Sequence, residues 1–209
     1  MPTNDTLIFQ HVHSNSGCMQ WVALTLPRHL HYCLLHKIDY QLIAADQHGY
    51  AGGRGHWTVA EKIRDFIFMG YQNIIYLDAD CIIADMETDL RKACVPDKIG
   101  SVWHNLSYHN PDWSHFNAGA LYVSCTGIVA AFVDEWLLQF PGSPDNPWWD
   151  QGVFNSLGRA RNIINQLDNK WNAGHVSPSD KPVVLGLHGF PDRYVAMQRK
   201  MKELDNAGG

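Results

Sequence analysis

The chain has 209 residues, of which 45% are hydrophobic, and this length predicts one domain that buries roughly 70% of its unfolded surface. Its formal net charge of −5 offers no basic surface to nucleic acid, and no apolar run approaches the roughly 20 residues of a membrane span. Five cysteines without a C-x-x-C pair argue against a disulfide framework or a zinc ribbon, and the first residues lack a secretory signal, so we expect a cytoplasmic protein.

Apolar periodicity and turn residues predict ten elements along the chain. In chain order they are strand Leu7–Ser14, helix Met19–His36, strand Tyr40–Asp46, helix Val59–Met69, strand Asn73–Ile83, strand Ile99–His104, strand Ala118–Ser124, helix Ile128–Phe140, a short helix opening near Asp150, and strand Pro182–Gly189. Pro27 is expected to kink or divide the first helix. Thr58 and Glu61 form a capping box that places the start of the second helix at Val59.

The alternation of strands and helices predicts an α/β fold. We expect a single domain over residues 1–209, with a mainly parallel central sheet flanked by helices. Residues 200–209 are expected to form a fraying tail, or to mark the point where a longer protein is cut.

Two aspartates interrupt the apolar stretch "NIIYLDADCII". Residues two apart in a strand point the same way, so Asp78 and Asp80 are expected to present both carboxylates to one point. In open α/β sheets ligands bind outside the carboxyl ends of the strands, and a divalent cation there would relieve the repulsion between two buried carboxylates. The alternative is that the pair caps the next helix, or forms salt bridges with Lys62 or Arg64.

The motifs "YLDAD", "FNAGALYV", "WWDQGVFNSL", "KWNAG" and "LHGF" occur in the order found in GT-A nucleotide-sugar glycosyltransferases. From Leu7 to Phe190 the chain resembles the retaining glycogenin and galactosyltransferase-type families most. The resemblance implies a Rossmann-like GT-A fold. It also implies a UDP-sugar donor, a glycan or protein-linked acceptor, and transfer with retention.

The resemblance further implies that Asp78, Asp80 and His188 bind a metal ion, with Ala79 and Gly189 beside the donor. His188 follows the apolar run "VVLGL" and precedes a glycine, as expected of a group at a strand end where a ligand can approach closely. An imidazole beside two carboxylates favours Mn²⁺, with Mg²⁺ as the alternative metal. A histidine packed in a loop is the other interpretation of His188.

The first two strands are expected to hold the nucleoside. The candidates for this role are Gln10, His11, His13 and Asp46. The two histidines are equally compatible with simple alternation in a half-buried strand. By its position in the resembling families, Lys62 is the best candidate for added positive charge at the diphosphate, although a solvated surface lysine is the common alternative.

Two further motifs supply candidates for the sugar. Asn117 can donate and accept hydrogen bonds with hydroxyl groups, and Gly119 lets a sugar approach the backbone, although a turn entering a strand uses the same residues. Asp150 is expected to hold sugar hydroxyls or to take the acceptor proton, and also fits a helix cap. The resemblance places Gln151 near the anomeric carbon, although these families commonly carry an acid after the glutamine, where this chain has Gly152.

Two other functions remain open from the sequence. One is a nucleotidyltransferase that makes a nucleotide-sugar, although "HVHSNSG" lacks the basic phosphate loop typical of that class. The other is a carbohydrate- or nucleotide-binding module without turnover. The residues alone do not choose between retention and inversion, and the oligomeric state is not predicted.

Overall fold

The computed structural model describes residues 2–13, 17–45, 54–106, 114–140, 149–188, 190 and 192–207. Its strands are β1 Thr6–His13, β2 Asp39–Ala45, β3 Asn73–Leu77, β4 Cys81–Ile83, β5 Ile99–His104, β6 His115–Phe116, β7 Ala120–Ser124, β8 Ile164–Leu167 and β9 Val184–Gly186. Its helices are α1 Cys18–His36, α2 Arg54–Met69, α3 Gly127–Leu138, α4 Trp149–Ala160 and α5 Arg193–Ala207, with 3-10 turns at Leu90–Ala93 and Asn169–Asn172. None of the helices described is both long and apolar enough to cross a bilayer.

The central sheet has seven strands, of which six follow the order β2-β1-β3-β7-β5-β6. The seventh, β8, pairs with β5. Strands β2, β1, β3, β5 and β8 run in one direction, and β7 and β6 run against them. The sheet is therefore mainly parallel, as expected. The carboxyl ends of β1, β3 and β5 meet at one edge, together with the amino end of β7.

Both faces of the sheet are covered, which explains why its strands are apolar on both sides. Alternate residues of β1 and β3, such as Phe9 and Tyr76, face a core formed with α2, α3 and α4. The residues between them, such as Ile8 and Ile75, face a second core with α1, the 3-10 turns and the β4–β9 pair. The predicted α/β architecture with flanking helices is confirmed.

A small antiparallel ribbon of β4 and β9 lies outside the central sheet. Helix α5 packs on it through Ala196, Met197 and Met201, together with Ile82 and Leu187. Residues 200–209 were expected to form a fraying tail, and this is wrong as far as Ala207, since residues 200 to 207 continue this helix. Residues 208 and 209 lie outside the described part of the chain. The C-terminal sequence looks polar because α5 buries only one narrow stripe.

Several predicted boundaries need correction. The stretch Asn73–Ile83 is not one strand, because β3 ends at Leu77 and a turn separates it from β4. The predicted strand Ala118–Ser124 begins only at Ala120, and the strand Pro182–Gly189 shortens to β9 and leaves the central sheet. β8 was not predicted.

The helix boundaries also differ from the predictions. Helix α1 runs through Pro27 undivided, since residues on both sides of the proline pack into the core. Helix α2 begins at Arg54, about one turn before the expected cap, so Thr58 lies within the helix. Trp57, directly before Thr58, is buried in the core. The start near Asp150 and the extent of α3 agree closely with the sequence.

Candidate active site

The predicted metal-binding residues gather at the carboxyl edge of the sheet. Residues 78–80 form a turn between β3 and β4 rather than part of a strand, and the backbone N–H of Cys81 closes it on the carbonyl of Asp78 at 3.0 Å. Strand alternation therefore does not direct the two carboxylates. The turn is held against β7, where the N–H of Asp78 donates to the carbonyl of Gly119 at 2.7 Å.

The two carboxylates have different surroundings. Asp80 is only 2% exposed, and its Oδ2 accepts a hydrogen bond from Arg193 Nη1 at 3.0 Å. Its Oδ1 lies 3.2 Å from His188 Nδ1, a close contact that is not aligned as a hydrogen bond. Asp78 is half-buried, and its Oδ1 accepts a short hydrogen bond from the hydroxyl of Tyr76.

The charges of these groups are interdependent. Burial, followed by the charge of Asp80, raises the pKa of Asp78. Burial would also raise the pKa of Asp80, but His188 and Arg193 outweigh it and lower this pKa. For His188 the desolvation that disfavours charge is outweighed by Asp80 and Asp78, so its pKa is raised. The site therefore concentrates negative charge that Arg193 and His188 partly compensate.

The residues at this edge fit a divalent cation. Asp80 Oδ1 and His188 Nε2 are buried without a hydrogen-bond partner among the described residues, and such orphaned atoms call for an explanation. A nitrogen and a carboxylate oxygen suit Mn²⁺. Ligand atoms of Asp80, Cys81 and His188 all lie within 4.8 Å of one another, whereas Asp78 does not belong to this close group.

Cys81 does not fit the role of a metal ligand, although it is close. Burial, with the charges of Asp80 and Asp78, raises the pKa of its thiol well above the usual value. Its thiol donates a hydrogen bond to the carbonyl of Gly119, with Sγ and the oxygen 3.4 Å apart. The thiol donates to the backbone here, and a soft sulfur ligand is not one that Mn²⁺ or Mg²⁺ prefers.

Gly119 lies between the Asp78 carboxylate and the ring of His188. A Cβ at position 119 would lie 2.6 Å from both Asp78 Oδ2 and His188 Cε1. The glycine belongs to an interruption between β6 and β7, two strands that both pair with β5. Glycine is required at this point because the side chains of the site occupy the space of a methyl group.

Asn117 anchors this interruption. Its Oδ1 accepts from the N–H of Gly119 and from Asn172 Nδ2, both at 2.8 Å, and its own N–H donates to the carbonyl of Val102. Asn117 and Gly119 therefore do lie at the predicted metal site, and the oxygen of the Asn117 amide is used to shape it.

Helix α4 brings Asp150 and Gln151 to the same place. Gln151 Oε1 accepts from the N–H of Ala118 at 2.8 Å, and Asn155 exchanges two hydrogen bonds with the backbone of Phe116. Asp150 is buried, and burial, with a smaller effect from the charge of Asp78, raises its pKa to about 7. The backbone N–H of Gln151 also hydrogen-bonds to this carboxylate. Because α4 already begins at Trp149, Asp150 lies in the first turn of the helix and not at the cap position, so the predicted cap is wrong. The effect of Asp78 on its pKa shows that the two carboxylates lie near each other.

Comparison with solved structures finds the same architecture in glycosyltransferases. A glycosyltransferase involved in glycosylation of the major capsid of PBCV-1 superposes with a TM-score of 0.70 at 11% identity, over 96% of this chain and 98% of that one. The chain has the GT-A glycosyltransferase fold. The galactosyltransferase LgtC, solved with donor and acceptor sugar analogues, gives 0.58 at 13% identity over 96% and 95% of the two chains. Mouse xyloside xylosyltransferase 1 gives 0.54 at 13% identity over 88% and 97%.

Sequence comparison alone does not reach these GT-A proteins. No protein-family model matches the chain. No curated protein matches it by sequence either. At 11–13% identity, the likeness to these structures is one of backbone fold.

The residues predicted to bind the nucleoside do not gather at one place in the described structure. Gln10 is 0% exposed and its amide is bonded to other protein groups, so it supports the site from beneath and does not face a ligand. His11 is buried on the opposite face of β1. His13 ends β1, but its side chain is outside the described part, as are Asp46 and Gly189.

Ala79 and Lys62 have described contacts away from the metal-site carboxylates. Ala79 packs against Val12 and Val22 in a small apolar cluster. Lys62 pairs with Asp65 on its own helix at 2.8 Å. The basic side chain of Arg193 instead contacts the turn of residues 78–80, the D-x-D turn, through Asp80.

Sequence reasoning missed three residues of this GT-A site: Arg193, Asn172 and His104. Arg193 follows His188 closely along the chain, and a basic residue after "LHGF" was a usable signal. Asn172 stands in the quoted motif "KWNAG". His104 ends β5 with its ring centroid 6.0 Å from that of His188, and burial lowers its pKa to about 3; no local pattern marks it.

Proposed function

We propose that the protein is a metal-dependent glycosyltransferase that moves a sugar from a nucleotide diphosphate donor, UDP-sugar first, to a hydroxyl of a glycan or glycoprotein. The observation that carries this proposal is the cluster of Asp80 and His188 beside Asp78, in which Asp80 Oδ1 and His188 Nε2 are buried without a hydrogen-bond partner among the described residues. They lie at the carboxyl edge of the sheet, where α/β folds bind nucleotides.

Asp78, Asp80 and His188 would hold the cation, with Mn²⁺ favoured over Mg²⁺ by the imidazole. When bound, the cation neutralises the charge that develops on the departing diphosphate. Arg193 already contacts Asp80 at 3.0 Å and is 38% exposed at its side chain, so it can bind a phosphate oxygen without leaving the site. We assign to Arg193 the cationic role that the sequence suggested for Lys62.

The sugar would lie against the interruption at Asn117–Gly119, beside Asp150 and Gln151. In the transfer, the bond from the anomeric carbon to the diphosphate oxygen breaks and the acceptor oxygen forms the new bond. With retention, the acceptor proton passes to the departing phosphate, and no protein base is needed. Asp150, with its pKa near 7, would bind a sugar hydroxyl as donor or acceptor.

The names of the structural neighbours support a sugar donor and a glycan or protein acceptor. They comprise a galactosyltransferase solved with donor and acceptor sugar analogues, a xylosyltransferase, and an enzyme involved in glycosylating a viral capsid. These activities belong to those proteins, and they come to this chain as part of the proposal.

A thermal-shift screen with donor hydrolysis tests the function. UDP with Mn²⁺ should raise the melting temperature more than either alone, and one of a panel of UDP-sugars should be slowly hydrolysed to UDP. The matched control is Asp80→Asn, which keeps the shape of the side chain and removes the charge. It should abolish both signals.

Three outcomes would contradict the proposal in different ways. No shift with any nucleoside diphosphate and metal excludes a nucleotide-sugar site. A shift without hydrolysis or transfer to any acceptor indicates a binding module, and pyrophosphate release from a nucleoside triphosphate with a sugar phosphate indicates a nucleotidyltransferase. Full activity in Asp80→Asn would show that the metal assignment is wrong.

A further inference from the structure

A network of polar side chains lies beneath the D-x-D turn. It consists of Gln10 on β1, His29 on α1 and Tyr40 on β2; Gln10 and His29 are 0% exposed, and Tyr40 is partly buried. Gln10 Nε2 donates to the carbonyl of Asp78 at 3.0 Å, while its Oε1 lies 3.0 Å from His29 Nδ1 and accepts from the hydroxyl of Tyr40 at 2.8 Å.

The hydrogen-bond partners determine which atoms carry protons in this network of side chains. His29 Nε2 accepts from the backbone N–H of Ile83 at 3.2 Å, so Nδ1 carries the proton and donates to Gln10. Burial lowers the pKa of His29 to about 3, which keeps the ring neutral. Gln10 Oε1 thus accepts two hydrogen bonds, and the amide has only one orientation in which all three residues are satisfied.

This network of side chains binds both ends of the segment from Asp78 to Ile83, which carries the carboxylates. Gln10 binds the carbonyl of Asp78 at its start, and His29 binds the N–H of Ile83 at its end. The neighbouring Arg28 also binds the carbonyls of Ile83 and Ala84, at 2.6 and 2.8 Å. A fully satisfied buried network rigidifies what it touches, and residues that support metal ligands strongly affect affinity.

We propose that His29 and Gln10 are positioning residues, which fix the D-x-D turn in the conformation that binds the cation. This inference rests on the proposed function of the turn. It assigns to Gln10 a task different from the nucleoside contact expected from the sequence, and to His29 a task that no motif indicated. A rigid turn needs no rearrangement when the cation and the donor arrive.

The test compares His29→Phe with Tyr32→Phe in the full chain. Tyr32 is the matched control because it lies on the same helix, is fully buried, and binds two backbone groups, the carbonyl of Thr88 and the N–H of Leu90. Both changes remove buried hydrogen bonds and keep an aromatic ring of similar size. Of the two side chains, only His29 hydrogen-bonds to the segment that carries the carboxylates.

Two measurements are made on each variant. Hydrogen exchange at the amides of Cys81 and Ile83, relative to Ile75 in β3, should accelerate about tenfold in His29→Phe, as expected for one lost hydrogen bond. In Tyr32→Phe the amide of Leu90 should accelerate instead. Well below the melting temperatures, the affinity for Mn²⁺ in the presence of UDP should fall about tenfold or more in His29→Phe and stay unchanged in Tyr32→Phe.

The results separate this inference from the function on which it rests. If wild-type protein binds Mn²⁺ and UDP, and His29→Phe binds them equally well with unchanged exchange, positioning by His29 is wrong. Equal losses of affinity in both variants would indicate general destabilisation and also overturn it. If the wild-type protein binds neither, the proposed function fails, and the exchange rates alone decide whether His29 holds the turn.

Discussion

Gly119→Ala tests the site at a point where the structure leaves no space for a side chain. The added Cβ would lie 2.6 Å from Asp78 Oδ2 and from His188 Cε1, and 2.9 Å from Asn117 Oδ1. Ordinary contacts lie at about 3.5 Å, so one of these groups must move by about 1 Å. A displacement of that size at a reacting centre costs about 100-fold in rate, and the overpacking costs about 1–3 kcal/mol in stability.

The matched control for this change is Gly100→Ala. A Cβ at position 100 in β5 would lie 2.8 Å from Leu167 Cδ1 and 2.9 Å from the carbonyl of Ala93, among groups that take no part in the site. We expect both variants to lose a similar free energy of unfolding in urea. Only Gly119→Ala should lose the thermal shift with UDP and Mn²⁺ and the hydrolysis of the donor.

Two results would refute the reasoning about Gly119. The first is a Gly119→Ala protein that binds UDP with Mn²⁺ as wild type does, because binding would then not depend on the positions of the side chains around Gly119. The second is an equal loss of binding in Gly100→Ala, because the effect would then follow from stability rather than from the site.

Three further predictions address charge and pH. Arg193→Gln should weaken UDP binding about tenfold by isothermal titration, whereas Arg199→Gln on the exposed face of the same helix should not; equal affinities would remove Arg193 from the site. Asp150→Asn should lower donor turnover about tenfold, because it removes the charge from a hydrogen bond to a sugar hydroxyl. It should also raise stability at pH 8 by up to about 4 kcal/mol, since burial raises the pKa of Asp150 to about 7 and disfavours the ionised form; an unchanged or lower stability would contradict this. Because the pKa of His29 falls from 6.5 to about 3 on folding, the unfolded chain binds the extra proton, and stability should fall by about 1.4 kcal/mol per pH unit as pH drops from 6.5. Urea titrations should show a shallower fall in His29→Phe, and parallel slopes would contradict this.

The sequence was sufficient for the fold class because the relevant signals are local. The apolar runs of β1, β3 and β5 and the helical spacing of α3 are written in neighbouring residues. The order of the motifs added the family resemblance, and the GT-A fold follows that resemblance even though overall identity to the solved neighbours is 11–13%.

The site itself was only partly readable from the sequence. Asp78, Asp80 and His188 do meet at one edge, but they meet through a turn and a separate ribbon, which alternation along one strand could not predict. Gln10 was expected to contact the nucleoside, because it lies on the first strand. Its partners, His29 and Tyr40, come from other elements and satisfy it in the interior.

The sequence by itself determined which residue types are available and roughly where each strand and helix lies, since these depend on contacts between near neighbours. Only the tertiary structure decided which polar groups share a space. It brought Arg193 to Asp80 across 113 positions and closed the packing around Gly119 to the point where a methyl group no longer fits. Such pairings depend on how separate elements pack, and no local pattern in the sequence specifies that geometry.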